Sequence, residues 1–288
     1  RYQWDGITSQ QQFPAVGPKL HDVFKSISPR ASIDYKISDN VMAYATFSRG
    51  FRPGGFNPNL TALDAAELAQ ILAGLGGANL SFKQEKLDNF EIGFKGAFMD
   101  NRLRLALALY HMKWRDGQIR NTFFYTRTIG GGGSAALISN VGKVNLKGAE
   151  LDLSFAVTPE FTLAGTFNYA DSKLIEFILN PNGAHIQNNT NVAGNRLDQT
   201  PRFSGTFSPS YRTEIADGWN LNVRGDLVWR SKYFIDATNQ AWAGARAVFN
   251  GSIGFSRENL KVDFFVRNLF NNDKITGGAK SSDGLYAP

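Results

Sequence analysis

Segments in which apolar and polar residues strictly alternate are joined in this chain by connections that are, in turn, very short and very long. Few folds accept that pattern. Period-2 alternation marks strands with two unlike faces, and walking the chain gives about ten of them. The series runs Ala31 to Ile37, Val41 to Arg49, Phe90 to Phe98, Leu103 to Tyr110, Ala149 to Phe155 and Phe161 to Tyr169. It continues with Phe203 to Tyr211, Leu221 to Trp229, Phe249 to Phe255 and Leu260 to Val266. Turns of a few residues at Asp39, Asp100, Pro159, Asp217 and Glu258 join them in pairs. Between the pairs lie long stretches: Gly50 to Phe82, Arg120 to Ala136, Ser172 to Thr200, Arg230 to Arg246, and Asn271 onward. One end of the sheet is therefore trimmed and the other elaborated, as in outer-membrane barrels. Soluble sandwiches and propellers rarely segregate loop length so consistently. A repeat architecture would need self-similar sequence at a fixed period, and none is seen.

The polar face carries charge deep inside strands: Asp34, Lys36, Glu91, Lys95, Arg104, Glu150, Asp152, Arg224, Asp226 and Asp263. A dry sandwich core would not hold these side chains, whereas a wide lumen filled with water or a polar plug does. Tyr35, Trp114, Tyr169, Trp219 and Trp229 lie near strand ends and are expected to form interfacial girdles; local packing is the alternative for any one of them. The 29 glycines and 23 phenylalanines suit a chain of many hairpins. No cysteine is present, so disulfides and thiolate metal sites are excluded. The 31 basic and 25 acidic residues are dispersed, without the basic block that nucleic-acid binding requires. No apolar run reaches the roughly 18 residues of a spanning helix, which says nothing against spanning strands. Arg1 opens without the pattern of a signal peptide and residues 281–288 read as loop, so we expect a fragment of a longer protein.

At this point five phrases, in order, resemble the barrel of TonB-dependent receptors. Ser48-Arg49-Gly50-Phe51-Arg52-Pro53-Gly54-Gly55-Phe56 is similar to that family's "S-x-G-F-x-P-G-G-F" strand exit. Glu85 to Lys95 resembles "E-x-x-x-x-x-E-x-G-x-K", and Asn140 to Glu150 resembles "N-x-G-x-x-x-x-x-G-x-E". Pro201-Arg202-Phe203 matches a strand entry, and Asn268-Leu269-Phe270-Asn271 resembles the signature "N-L-F-N" near the penultimate strand. The resemblance implies an all-β fold, a piece of a transmembrane antiparallel up-and-down barrel of about 22 strands around a plug. Residues 1–288 would be its C-terminal portion, roughly strands 12 to 21, with plug, TonB-contacting box and final strand outside the chain.

Each candidate site has a plainer reading. Gly130 to Gly133 lacks the Lys-Ser/Thr of a phosphate loop and reads as a loop. His21, His111 and His185 show no metal-ligand spacing, and no metal or cofactor is expected. His111 is the one conceivable partner for a barrel-embedded serine hydrolase. Thr61 to Leu75 is the one helical stretch, expected in a long loop with Thr61 as cap and Gly76-Gly77 after its end, either as a lid or as packing for the loop. Recognition is expected in the long loops. There Arg52, Arg120, Arg127 and Arg246 offer charge, and Phe123, Phe124, Tyr125 and Trp242 offer rings for an anionic, aromatic iron chelate. Loop packing or contact with anionic lipopolysaccharide is the alternative for each.

The resemblance implies no enzyme. It implies an outer-membrane receptor of a Gram-negative bacterium for TonB-dependent uptake of a scarce ligand, a ferric siderophore first. The implied partners are the TonB energy-transducing complex, that small molecule, and outer-membrane lipid with lipopolysaccharide. Uptake of an oligosaccharide, cobalamin or aromatic compound is the alternative within transport; a passive porin or a barrel-embedded enzyme is the alternative outside it.

Overall fold

The ten alternating segments all pair, each with the next, into one antiparallel ten-stranded sheet. The structure, a computed structural model, describes residues 1–12, 16–73, 79–140, 142–177, 191–280 and 286–287. His185, the Leu75 to Gly77 end of the helical stretch, Val141 and most of the tail beyond Lys280 lie outside the described residues. A first hairpin, β1 (Tyr2–Ser9) with β2 (Leu20–Ile27), stands apart from the sheet. The wall follows: β3 (Arg30–Ser38), β4 (Val41–Arg52), β5 (Glu85–Phe98) and β6 (Leu103–Arg115). A second free hairpin, β7 (Gln118–Thr126) with β8 (Gly132–Asn140), interrupts it. The wall resumes with β9 (Lys143–Ala156), β10 (Phe161–Glu176) and β11 (Phe203–Ala216). It ends with β12 (Trp219–Arg230), β13 (Arg246–Arg257) and β14 (Leu260–Val266).

Because every pairing is antiparallel between chain neighbours, the short turns share one end and the long loops the other. At Asp217-Gly218 both residues adopt positive φ, 47° and 78°, the turn geometry that matches strand twist. Wall strands run past the alternating segments toward the long-loop end. The expected loop from Arg120 to Ala136 is instead the β7–β8 hairpin, turned at Gly130 and Gly131 with φ of 90° and 84°.

The register keeps every charged wall residue named above on one face. Cross-strand pairs such as Lys95 with Ala106, Glu150 with Ala108 and Asp226 with Asn250 fix this. The opposite face is apolar and bare: Ile33, Ile92 and Phe264 are 74%, 59% and 64% exposed. On it, Phe47 meets Phe90 at 4.9 Å, and Tyr169, Phe203, Phe167 and Trp229 form a chain of ring contacts. Trp114 departs from the girdle expectation. Its parity, shared with Tyr110 and Met112, places it on the polar face, where it packs against the loop core around Val144 and Leu174.

Two glycines on the polar face explain two of the motifs. A Cβ on Gly93 would sit 2.2 Å from the Tyr44 ring, and one on Gly148 would sit 2.3 Å from Tyr110. Each tyrosine lies flat over a cross-strand glycine. The Tyr44 hydroxyl donates to Glu91 Oε1 at 2.7 Å, and the Lys95 ammonium stands 5.4 Å from the same ring. The phrase Glu91-x-Gly93-x-Lys95 is thus a seat for Tyr44. The Asn268-Leu269-Phe270-Asn271 phrase is a knuckle after β14 rather than part of a strand: Asn268 and Asn271 take φ of 51° and 48°, and Phe270 stacks on Phe249 at 5.7 Å.

Candidate functional site

Among the described residues most buried apolar side chains gather in two small cores at the long-loop end; Ala170 and Ala243 are buried outside both. The first joins Leu60 and Ile71 to Phe123, Ala135 and Leu137. Its helix, α1 (Ala65–Ala73), begins at Asp64 rather than at Thr61. Asp64 Oδ1 accepts from the amides of Ala66 and Glu67 at 2.9 Å each, and Glu67 reaches back to the Asp64 amide at 3.3 Å. That is a capping box on Asp64-x-x-Glu67, a signal present in the sequence. The Asp64 carboxyl is held below its usual range by the Thr128 hydroxyl and by those helix amides.

Polar side chains lock this loop to the hairpin as if they were extra strand backbone. Gln70 both donates to Thr126 O at 3.0 Å and accepts from Thr126 N at 2.9 Å. Asn57 does the same with Ile138, at 2.8 and 2.9 Å. Asn140 of the third motif pairs with Lys83 N and O at 2.6 and 2.8 Å. At the base, Asp88 receives Arg49 at 2.5 Å and also Arg115, its own side chain only 6% exposed.

Within this frame the predicted residues separate. Phe123 is 3% exposed and filled into the first core, with Tyr125 packed against it. Phe124, Arg120 and Arg127 are exposed, Phe124 at 53%. Arg52 ends β4 and is exposed, opposite Glu85. Trp242, in the loop between β12 and β13, and Arg246, the first residue of β13, belong to a different region.

That second region holds the densest meeting of charge and rings. Arg230 and Arg246 are directly opposite across β12 and β13, on the polar face. The Arg230 guanidinium lies 4.5 Å from the Tyr233 ring and donates to Gly244 O at 2.8 Å. Arg246 Nε is buried without a hydrogen-bond partner among the described residues. Lys232 Nζ stands 5.4 Å from the Trp242 ring and 5.9 Å from Phe234, while Lys274 Nζ donates to Ala245 O. Arg230, Lys232 and Tyr233 escaped sequence reasoning, although the parity of Arg224 and Asp226 extends to Arg230. The neighbouring loop is tied in through Asn195, Arg196 and Asn239, and Asp198 there is pushed up by burial.

Among the described residues no three His, Cys, Asp or Glu side chains gather as a metal site. His111 has Phe90 and Lys147 as its cross-strand partners, and no serine stands beside it.

A strand wall with one charged face, one bare apolar face with aromatic contacts, and loops massed at one end defines an outer-membrane barrel wall. The chain belongs to the TonB-dependent receptor family: residues 1–269 match the model for "TonB dependent receptor-like, beta-barrel". A curated relative, the probable TonB-dependent siderophore receptor PiuA of Acinetobacter baumannii, is 21% identical over 95% of this chain and 34% of its own length. The metal-pseudopaline receptor CntO of Pseudomonas aeruginosa is 23% identical over 68% of this chain and 22% of its own. Among solved structures, the ferric yersiniabactin uptake receptor FyuA of Yersinia pestis matches with a TM-score of 0.74 and 19% identity, over 99% of this chain and 39% of that one. The chain thus spans about a third of the length of the first of these relatives. The family is one of outer-membrane receptors, not of enzymes.

Proposed function

We propose that the protein carrying this chain is an outer-membrane receptor that binds a ferric siderophore at its extracellular mouth and imports it with energy from TonB. The observation that carries this reading is the paired Arg230 and Arg246 beside Lys232 and Trp242, at the long-loop rim of the polar face. Two adjacent guanidiniums, one with an unpartnered Nε, form a fork for an anionic chelate, and the rings beside them accept flat ligand groups. Phe124, Arg120, Arg127 and Arg52 stand as secondary contacts, with Phe123 and Tyr125 holding their hairpin in shape. The names of the relatives, a siderophore receptor and a metal-pseudopaline receptor, support the ligand class.

The test is radio-iron uptake by cells whose only receptor is the full-length protein, with Arg246→Ala and Arg230→Ala compared. Loss of uptake with surface expression intact supports the reading. Uptake of an oligosaccharide, cobalamin or aromatic compound in place of iron would redirect it within TonB-coupled transport. Ligand flux that persists without TonB would sink energy coupling and favour a passive porin.

A further inference from the structure

Directly below the Arg230 and Arg246 pair the polar face is hollowed into a cavity of about 380 Å³. That is the small end of the range for ligand pockets, room for one arm of a chelate rather than for all of it. Register lays its floor in two rows. Asn168, Ser204, Arg230 and Arg246 stand side by side from β10 to β13. One step toward the short turns, Thr166, Thr206, Val228 and Val248 form the next row, with the two threonine hydroxyls 2.9 Å apart. Beyond β10 the wall turns acidic: Glu150 faces Asn168 and Asp152 faces Thr166.

Two groups of the upper row are left over. Arg246 Nε, a donor, and Asn168 Oδ1, an acceptor, are both buried with no hydrogen-bond partner among the described residues. Polar groups out of reach of water are costly unless paired, so both call for an outside partner. Arg230 is already engaged, donating through Nη1 to Ser231 O at 3.3 Å and to Gly244 O at 2.8 Å. The open prong of the pair is Arg246, whose Nε edge suits a carboxylate. At the other end Glu150 and Asp152 repel a second anion, and Asn168 Oδ1 accepts only from an N–H or O–H. Catecholate or hydroxamate oxygens bound to iron carry no hydrogen for Asn168, so the matching groups lie outside the coordination sphere. We infer that the cavity holds a pendant arm of the imported chelate, an amide-linked carboxylate, with the carboxylate on Arg246 and the amide N–H on Asn168. The backbones of β10 and β13 are three strand spacings apart, about 14 Å, and the reach of the Arg246 side chain reduces this to the length of such an arm. The inference rests on the receptor reading above and adds which group of the ligand the wall recognises.

The experiment is tryptophan-fluorescence quenching of the full-length receptor in detergent by matched ferric chelates. A trihydroxamate and a tris-catecholate are each used with a succinamide arm, as the free acid and as its methyl ester. At least one of the two should bind, the free acid tenfold or more tighter than its ester. Arg246→Gln should erase that preference, whereas Asn168→Leu should weaken acid and ester alike, several-fold, and keep it. Because the preference is a ratio, a merely structural defect does not imitate its loss. If Arg246→Gln fails to fold, as read by heat-modifiable gel migration, Arg246→Lys serves, with the preference reduced rather than erased. Acid and ester bound equally by the wild type, or a preference that survives in Arg246→Gln, overturns the site. Undiminished binding by Asn168→Leu overturns the amide assignment. Absence of binding by every ferric chelate defeats the siderophore reading itself, whereas binding without an acid preference defeats only this inference.

Discussion

The middle of the wall and the cap above β7 and β8 use the same apolar residue types and are held together in opposite ways. In the cap, Leu137 is 0% and Ile71 2% exposed, and side chains converge on a small dry core. In the wall, Ile33 and Ile92 are exposed, and cohesion comes from the strand ladder and from cross-strand polar pairs on the other face, such as the Ser208 hydroxyl donating to Asp226 at 2.6 Å. The cap is a water-soluble design on a stalk, whereas the wall leaves its apolar side to a lipid solvent. The lesson is that burial is a poor guide to importance here: large residues such as Ile33 and Phe264 stand exposed on the face that a barrel wall turns to lipid.

The sharpest way to break that contrast is Leu137→Ala. Removing a fully buried leucine should cost the cap about 2–5 kcal/mol through lost burial and a residual cavity. Hydrogen exchange of the β7 and β8 amides in the full-length protein should accelerate accordingly, with wall amides unchanged. If wall exchange rises equally, cap and wall are one cooperative unit and the contrast fails.

Next is Ile92→Arg on the bare face. A soluble surface would accept it at little cost, but a bilayer-facing position should lose about 2–4 kcal/mol near the midplane. Refolding equilibria in lipid vesicles measure this, and a neutral result would mean that this face does not meet hydrocarbon.

Tyr44→Phe probes the polar face. It deletes the hydroxyl donated to Glu91 while leaving the ring over Gly93, so the loss should be about 1 kcal/mol. An effect as large as that of Leu137→Ala would assign the polar ladder a weight the comparison denies it.

The smallest expected effect is one of pH on the cap. Asp64 has a folded pKa below its ordinary value, so its contribution is present above the ordinary carboxylate range and is lost as pH falls through the folded value. Protease access to residues 64–73 should therefore rise on acidification, and Asp64→Asn should flatten that dependence. An unchanged acid response in the variant would remove Asp64 as its source.

Much of the wall was legible because period-2 alternation is written in consecutive residues: all ten alternating segments became the sheet's strands, with the short turns at Asp39, Asp100, Pro159, Asp217 and Glu258. Strand ends were less legible, since beyond the membrane band the strands continue with mixed faces. Trp114 stands near a strand end, which suggests a girdle, while its parity places it inside. The helix cap is written locally as Asp64 and Glu67, three residues past Thr61, the expected cap. Among candidate contacts, Phe123 and Phe124 are adjacent and alike in sequence, and only the pairing of the hairpin decided which is buried. Arg230 meets Arg246 across a long loop, a proximity that no local pattern encodes.

The sequence by itself determined the strand faces, the trimmed and elaborated ends, and through its motifs the family, because these depend on neighbours one or two residues apart. Only the tertiary structure decided why those motifs exist. Tyr44 needs the absent side chain of Gly93, Tyr110 that of Gly148, and Asn140 the backbone of Lys83, each from another strand or loop. Register sets such contacts, and register is a property of paired strands rather than of either strand alone.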